Sequence, residues 1–332
     1  MTVYFQGAEA SDFILTGVSA GNMGSTAGRF NSANSRGYMS FTVSIADDTQ
    51  YIESDNFVAT DFWSHQSFYG AVSAGGTASY FYKIFDQAGV DRIRIKRISS
   101  TSIGLDYWNG SAWVSIGTYT VSFDSVRHVY DLYVLLGNPG QVRLYVDGIA
   151  AIYTTSLDTT FGGATTSFKK GRWGPVGTGA TNSSAHSECI IADWNTIGSK
   201  LVTRIPNAAG TYSEWTGAGY TAVDELIPSS DFMLSGTANQ RFSVSYSSFP
   251  TEATGESVES LKIAAWINKD AGGPQNANFF TRVSATDYNL SDQAVPTVQS
   301  PLYNSWAQNP NTSAAWTAAI LNGAEFGIRS RT

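Results

Sequence analysis

Two acidic residues have a spacing suited to chemistry on a glycosidic bond, in Glu53-Ser54-Asp55. Side chains two positions apart on a strand share a face. Glycosidases place two carboxyl groups about 5–5.5 Å apart when they retain configuration and about 6.5–9.5 Å apart when they invert it. No third acid follows, and the adjacent pairs Asp47-Asp48 and Asp224-Glu225 would point to opposite faces. We interpret these acids as solvated turn residues and predict no catalytic pair.

The residue types needed for nucleophilic or metal chemistry are scarce. Cys189 lies between apolar neighbours on an expected strand, where a thiol is usually a small buried hydrophobe, and His186 would lie on the opposite face. We interpret His128 as a hydrogen-bonded structural histidine rather than a ligand, and His65 as part of an aromatic run that packs in the core and between domains. No Gly-x-Ser-x-Gly elbow or phosphate loop is present. The sequence therefore predicts no catalytic, cofactor-binding or metal residue.

Four of the nine tryptophans lie within two residues of Gly, Ser or Asn, which is typical of exposed loops: Trp108, Trp113, Trp173 and Trp215. Exposed aromatic rings stack on sugars and are frequent in protein interfaces. The alternative is that each ring covers one end of a β-sandwich, and we favour this alternative because Trp buries a large apolar area. The sequence leaves any ligand-binding position unassigned.

The composition excludes several classes of protein. The chain has 332 residues with a formal net charge of -7, so nucleic acid is not expected as a partner, because phosphate binding needs a basic patch. No apolar run reaches the ~18 residues of a membrane-spanning helix, and no leader peptide is expected. A single cysteine excludes an intrachain disulfide. The length suits two domains.

Alternating apolar and polar residues predict an all-β chain. In Asp91–Ile98 the isoleucines share one face and the basic residues the other, and Asn109-Gly110 between two such runs predicts a hairpin. Residues 162–187, rich in Gly, Ser and Thr, predict a long rim loop. We set aside residues 1–9 as an N-terminal arm or expression scar, and expect one domain over residues 10–197 and a second over residues 198–332.

The first of these domains resembles a known superfamily. Residues 127–133, a Gly/Pro turn and then Leu144-Tyr145-Val146-Asp147-Gly148 are similar to the central hairpin of laminin-G-like domains, which are concanavalin-A-like jelly rolls. The resemblance implies a jelly-roll sandwich. It also implies that the rim of the sandwich is a candidate calcium site, since many such domains bind calcium there. The acids available are Asp106, Asp124, Asp131 and Asp147. No spaced Asp-x-Asp loop appears, so we predict no assigned cofactor and interpret these acids as turn residues.

The second half resembles a C-terminal module of tailed-bacteriophage virion proteins. The similarity lies in Ile190–Thr196, in Lys200–Thr203, and most clearly in Asn309–Thr317 followed by Glu325-Phe326-Gly327. It implies a non-enzymatic virion structural protein on the exterior of a phage tail or capsid, with other virion proteins as partners. A homo-oligomer, such as a trimer, and recognition of a host-surface glycan are further expectations. The alternative is a glycan-cleaving jelly-roll hydrolase, a tail-associated depolymerase.

The C-terminal segment is predicted to be structural. Alanine-rich residues 312–323 predict a short helix that ends at Gly323 and places Trp316 one turn before Ile320. Phe326 and Ile328 alternate on a closing strand. We expect all four apolar side chains to be buried in a second, smaller β-sandwich, and the first domain to fold alone when the chain is cut near residue 195.

Overall fold

The structure is a computed structural model that describes residues 1–8, 12–18, 23–25, 37–43, 50–71, 79–174, 182–225, 230–249 and 255–332. The chain divides into two compact units, Met1–Leu201 and Val202–Thr332. The domain boundary expected at residue 198 lies just before this division. Asp47-Asp48 lies outside the described residues.

The first unit is built from strands in the described part of the chain. They are β1 (Val3–Gly7), β2 (Ile14–Thr16), β3 (Met23–Ser25), β4 (Gly37–Val43), β5 (Tyr51–Glu53), β6 (Asp61–Ala71), β7 (Ser79–Asp86), β8 (Asp91–Ser99), β9 (Ser102–Trp108), β10 (Trp113–Thr120), β11 (Arg127–Leu135), β12 (Gly140–Val146), β13 (Ile149–Leu157), β14 (Phe168–Trp173) and β15 (Asn182–Ala192). The hairpin predicted around Asn109-Gly110 is the antiparallel pair β9 and β10.

These strands form two antiparallel sheets. The first sheet has the order β13-β12-β11-β6-β15-β4-β3, with β1 also paired to β15, and the second has the order β10-β9-β8-β7-β14-β5-β2. The sheets pack face to face: the rings of Phe68 and Phe81 lie 4.5 Å apart, and Ser64 Oγ lies 2.5 Å from Tyr82 Oη across the core. Alternation explains the packing, since β12 places every second residue in the interior.

The first residues of the chain belong to this sandwich. We set residues 1–9 aside in the sequence, but the structure places Val3–Gly7 in the first sheet, antiparallel to β15. Phe5 is buried, and its ring lies 5.5 Å from that of Trp173. The alternation of Val3, Phe5 and Gly7 is too short to stand out against the neighbouring residues.

The rim loop predicted over residues 162–187 is wrong for much of its length. Phe168–Trp173 is a strand in the middle of the second sheet, and β15 begins at Asn182. Trp173, interpreted as a loop or rim residue, is fully buried in the core. The strand was missed because Lys169, Lys170 and Arg172 make its composition look like that of a surface loop.

The second unit is smaller and also built from strands. It contains β16 (Pro206–Ser213), β17 (Thr216–Gly217), a 3-10 helix (Gly219–Ala222), β18 (Met233–Leu234), β19 (Arg241–Tyr246), β20 (Leu261–Ile267), β21 (Asn276–Val283), β22 (Thr286–Asn289), β23 (Gln293–Ala294), β24 (Ser300–Trp306), α1 (Ala318–Gly323) and β25 (Glu325–Arg331). The main sheet has the order β16-β19-β25-β21-β22, with β23 beside β21, while β17 pairs with β18 and β20 with β24.

The C-terminal helix is shorter than predicted. It begins at Ala318 rather than at residue 312, because Thr317 is extended and its side chain accepts a hydrogen bond from the Ile320 amide, which caps the first turn. Trp316 therefore precedes the helix and forms an isolated bridge with Val258. Gly323 is the last helical residue, as predicted. No helix in the described residues is long and apolar enough to span a membrane.

The second unit has its own hydrophobic core. Trp316, Phe326 and Ile328 are buried in one cluster, whereas Ile320 is only partly buried against it. The Phe326 ring contacts both Trp316 and Trp306, with centroids 6.4 Å and 6.0 Å away. Full burial of Ile320 was predicted for a helix that begins at residue 312. The helix begins at Ala318, so Ile320 lies in its first turn and is only partly buried. The fold class is confirmed: the chain is all-β, with a jelly-roll sandwich and a smaller β unit carrying a short helix.

The segment that follows β15 and ends the first unit is hydrogen-bonded to the outer face of the first sheet. Thr196 Oγ1 donates a hydrogen bond of 2.7 Å to Asp131 Oδ1, and His65 Nδ1 lies 2.8 Å from the same oxygen. All three residues are buried. A cut near residue 195 would remove Thr196, so the natural end of this unit is Leu201.

The Thr196 hydroxyl should therefore contribute measurably to stability. In Thr196→Val the buried Asp131 carboxylate loses a donor, and we expect the free energy of unfolding to fall by about 1.5–3 kcal/mol, the usual range for a hydrogen bond to a charged group. Urea denaturation measures this loss. Thr155→Val, at an exposed position of β13, is the matched control and should change stability little; equal losses in the two variants would contradict the assignment.

Candidate functional site

Glu53, the acid with catalytic spacing in the sequence, is held in ion pairs. It is buried on β5, and its two oxygens accept hydrogen bonds of 2.8 Å from Lys170 Nζ and Arg172 Nε. Asp55 follows the strand and is partly exposed, and Asp224-Glu225 also lies outside the strands. A carboxylate engaged by two cations is poorly placed to protonate a glycosidic oxygen.

Cys189 and His186 are both buried in the first unit. Burial raises the pKa of the Cys189 thiol well above its ordinary value, so the thiol stays protonated and unreactive. Burial lowers the pKa of His186 to about 3, and its Nε2 lies 2.8 Å from the Gly174 carbonyl oxygen. Gln66 Oε1 lies 3.0 Å from the other ring nitrogen. The two residues do not form a nucleophile and base.

The four acids considered for calcium each bind a cation or a histidine of the chain. Asp106 pairs with Lys96, Asp124 with Arg97, Asp131 with His65 and Asp147 with His128, at distances from 2.6 to 2.8 Å. His128 is further held by its Nε2, which lies 2.8 Å from the Ser122 carbonyl oxygen. Among the described residues no group of three or more His, Cys, Asp or Glu side chains could hold a metal ion.

A row of charged residues crosses the outer face of the second sheet. Direct cross-strand pairing links β5, β14, β7, β8 and β9 through Glu53, Arg172, Lys83, Arg94 and Asp106, in that order. Partners in register share a face of a sheet. We call this line the central row. It places three cations side by side between two acids.

Aromatic side chains stand among these charges. We define the basic–aromatic face as the central row together with the residues that touch it: Tyr51, Tyr80, Phe85, Asp91, Lys96, Trp113 and Lys170. Of the four tryptophans weighed in the sequence, Trp113 alone lies on this face among the described contacts, and its ring centroid is 5.6 Å from that of Trp108, with the two planes tilted. Trp215 is in the second unit and donates to the Gln240 carbonyl oxygen.

Arg94 is stacked against two rings at one end of the face. Its Cζ lies 3.7 Å from the ring centroid of Trp113 and 4.4 Å from that of Tyr80. Its Nε donates to Asp91 at 2.6 Å, and 18% of its side chain is exposed. The rings attract the guanidinium through their negative faces and fix its plane.

Arg172 repeats this arrangement two strands away. Its Cζ lies 3.8 Å from the ring centroid of Tyr51 and 4.5 Å from that of Phe85. Lys170 Nζ lies 5.4 Å from the same Phe85 ring, and 20% of its side chain is exposed. Between the two stacked arginines lies Lys83, which is buried. The face therefore presents partly exposed, rigidly held donors beside aromatic rings.

Part of the basic–aromatic face could be predicted from the sequence. Alternation in β8 turns Ile93 and Ile95 inward and Arg94 and Lys96 outward, as the pattern predicted. The prediction is wrong at the two ends of the strand, since Ile98 is exposed and Arg92 and Arg97 are buried. The other half of the face comes from β14 and β5, which the sequence left in a loop and in a candidate acid pair. Lys-x-Arg at residues 170–172 is itself an alternating pattern. This pattern could have predicted that β14 is a strand with Lys170 and Arg172 on one face.

Comparison with known proteins assigns this chain to no family. No protein-family model and no curated protein matches the sequence. Solved structures with similar folds include the receptor-binding domain of botulinum neurotoxin type G (10% identity, TM-score 0.41, 59% of this chain). This chain spans about half, 48%, of that domain.

Two further neighbours match nearly their whole length. The endo-β-1,4-glucuronan lyase of Trichoderma reesei is 12% identical with a TM-score of 0.43, over 58% of this chain and 96% of the lyase. The carbohydrate recognition domain of Emp47p is 10% identical with a TM-score of 0.35, over 57% of this chain and 99% of that domain. At 10 to 12% identity, neither the lyase nor the recognition domain assigns a role to this chain.

Proposed function

We propose that the protein is a non-enzymatic recognition component of a tailed-phage particle, which binds a host-surface saccharide through the basic–aromatic face. The observation that carries the proposal is the pair of stacked arginines, Arg94 and Arg172, each partly exposed between two rings. Saccharide sites combine aromatic surfaces for the sugar ring with fixed polar groups for its oxygens. Strands in the middle of a sheet hold these groups more rigidly than loops.

The acids of this face support binding rather than hydrolysis. Glu53 is engaged by Lys170 and Arg172, and Asp106 accepts a hydrogen bond of 2.6 Å from Lys96. Hydrolysis of a glycoside needs one carboxyl group free to donate a proton and a second free to act as base or nucleophile. Glu53, Asp91 and Asp106 are each committed to a cation of the face.

The placement on a particle rests on the C-terminal sequence resemblance to phage virion proteins, in Asn309–Thr317 and Glu325-Phe326-Gly327. Other virion proteins are then the structural partners, and a closed homo-oligomer such as a trimer is the expected assembly, because most soluble oligomers have closed symmetry. Particle purification followed by mass spectrometry tests this part. Consistent absence of the protein from purified particles would contradict it.

Removing the stacked guanidinium groups should abolish most of the binding. We expect Arg94→Gln and Arg172→Gln each to weaken saccharide binding at least tenfold, because a hydrogen bond to a charged group contributes about 1.5–3 kcal/mol and about 1.4 kcal/mol is a factor of ten. Isothermal titration against a panel of bacterial surface polysaccharides measures the effect. Arg331→Gln, on β25 in the second unit, is the matched control and should bind like the parent.

The same panel tests the alternative of a glycan-cleaving enzyme. We expect no new reducing ends and no unsaturated products after prolonged incubation. Reproducible product that disappears in Glu53→Gln would show that the protein is an enzyme and would overturn the non-enzymatic part of the proposal.

A further inference from the structure

We infer that the protein has a second saccharide site, on the outer face of the first sheet, and that this site takes an acidic sugar whose carboxylate binds Arg143. The inference goes beyond the proposed function, which concerns the basic–aromatic face of the second sheet. It is carried by a row of aromatic side chains around an arginine that contacts no carboxylate among the described residues.

The site is a row of side chains across four neighbouring strands. Direct cross-strand pairing joins Trp63 on β6 to Tyr133 on β11. It then joins Tyr133 to Arg143 on β12, and Arg143 to Tyr153 on the edge strand β13. Tyr145 lies two residues after Arg143 and therefore on the same face. We call these five residues the tyrosine–arginine face, and their row spans three strand spacings, about 14–15 Å.

Arg143 differs from the stacked arginines of the second sheet, because Arg94 and Arg172 each bind an acid of the chain. Its Nη2 donates a hydrogen bond of 2.7 Å to Gln141 Oε1, and its Cζ lies 5.8 Å from the ring centroid of Tyr133. The side chain makes no other hydrogen bond and no ion pair within the described parts of the chain. A guanidinium group stays charged and suits bidentate contact with a carboxylate.

The acid beside this face is engaged by a tyrosine. Asp61 is exposed at the start of β6 and accepts a hydrogen bond from the Tyr133 hydroxyl. Burial raises the pKa of Tyr133, and the negative charge of Asp61 raises it further, whereas Arg143 acts in the opposite direction. The hydroxyl thus holds the Asp61 carboxylate, and the charge of Arg143 remains for a ligand.

The aromatic residues supply both apolar surface and hydroxyl groups. The Trp63 ring lies 5.0 Å from that of Tyr133 and 5.6 Å from that of Tyr145, and all three side chains are partly exposed. Tyr153 is exposed at the edge of the sheet. The hydroxyls of Tyr145 and Tyr153 make no hydrogen bond to the described residues. Aromatic rings with nearby polar groups are what a sugar ring and its hydroxyls require.

An acidic peptide is the competing ligand, and the sheet disfavours it. A peptide gains most from a sheet by adding a strand to a free edge. The strands β6, β11 and β12 each have neighbours on both sides, so their backbone groups are already paired. A peptide lying across this face would gain side-chain contacts alone.

The test is isothermal titration of the full chain carrying Arg94→Gln, which impairs the basic–aromatic face. The ligands are a polyuronate oligosaccharide, a neutral glucan of the same length and a short polyglutamate. We expect the polyuronate to bind about tenfold or more tightly than the glucan, since a hydrogen bond to a charged group contributes at least one factor of ten. Its affinity should fall as salt screens the charges.

Two further substitutions in this background place the ligand on the tyrosine–arginine face. Arg143→Gln should remove the preference for the polyuronate over the glucan. Tyr153→Ala should weaken binding of both saccharides severalfold, and it also serves if Arg143→Gln fails to fold in a thermal melt. Arg331→Gln, at an ion pair on the second unit, is the control and should leave both affinities unchanged.

The outcomes separate this inference from the proposed function. Polyuronate binding that survives both Arg143→Gln and Tyr153→Ala would overturn the inference, as would equal affinities for the polyuronate and the glucan. Polyglutamate binding as tight as that of the polyuronate would replace the sugar by a peptide. A parent chain that binds saccharide while the Arg94→Gln chain binds none would overturn the second site and leave the proposed function in place.

Discussion

Trp316→Ala is expected to destabilise the second unit by about 3–5 kcal/mol, the usual loss for truncating a buried Trp or Phe. Trp316 is 1% exposed and lies in the core cluster with Phe326, Ile328 and Leu321. Removing the indole leaves a cavity where the closing strand packs against the loop before the helix. A domain is stable by only about 5–15 kcal/mol, so the variant should melt much earlier or be lost as insoluble protein.

Differential scanning calorimetry of the purified full chain measures this effect. Phe232→Ala is the matched control, since Phe232 belongs to the same unit but is 67% exposed. The control should melt like the parent. A Trp316→Ala protein that melts within a degree or two of the parent would show that the C-terminal segment contributes little to a core.

Trp173→Ala should have a comparably large effect in the first unit. Trp173 is fully buried, and its ring lies 5.3 Å from that of Tyr82 and 5.5 Å from that of Phe5. The indole thus joins β14 to β7 and to the N-terminal strand, and we expect a loss of about 3–5 kcal/mol. Replacing a tryptophan on an exposed rim loop by alanine would lower the free energy of unfolding far less.

Chemical denaturation followed by circular dichroism checks this prediction. Tyr153→Ala, at a position of β13 that is 70% exposed, is the control and should leave the midpoint nearly unchanged. Matching midpoints for Trp173→Ala and the parent would contradict the placement of β14 within the sheet. They would restore the interpretation of residues 162–187 as a loop.

The fold could be predicted from the sequence because strands with one buried face show a period of two. Ile93, Ile95, Leu144 and Val146 alternate with polar residues and occupy the sandwich core. The prediction failed at Phe168–Trp173, where cations and a glycine mask the alternation. It also placed Trp316 in a helix, since alanines favour a helix, whereas the Thr317 cap makes the helix start at Ala318, two residues after Trp316.

The candidate site was only partly predictable. The outward cations of β8 were visible as a pattern, but the central row joins residues from 53 to 172 of the chain. Cross-strand register brings them together, and register depends on turns and bulges that a single sequence does not reveal. Glu53 was singled out for its spacing to Asp55, while its actual partners, Lys170 and Arg172, are more than a hundred residues away.

A co-crystal structure of the full chain with the saccharide of the panel that binds most tightly tests the central claim most directly. The account predicts sugar rings over the basic–aromatic face, with oxygen atoms of the sugar at Arg94 and Arg172. Arg94→Gln should lose this density under the same conditions. An oligosaccharide bound at another surface, with the basic–aromatic face empty, would contradict the account.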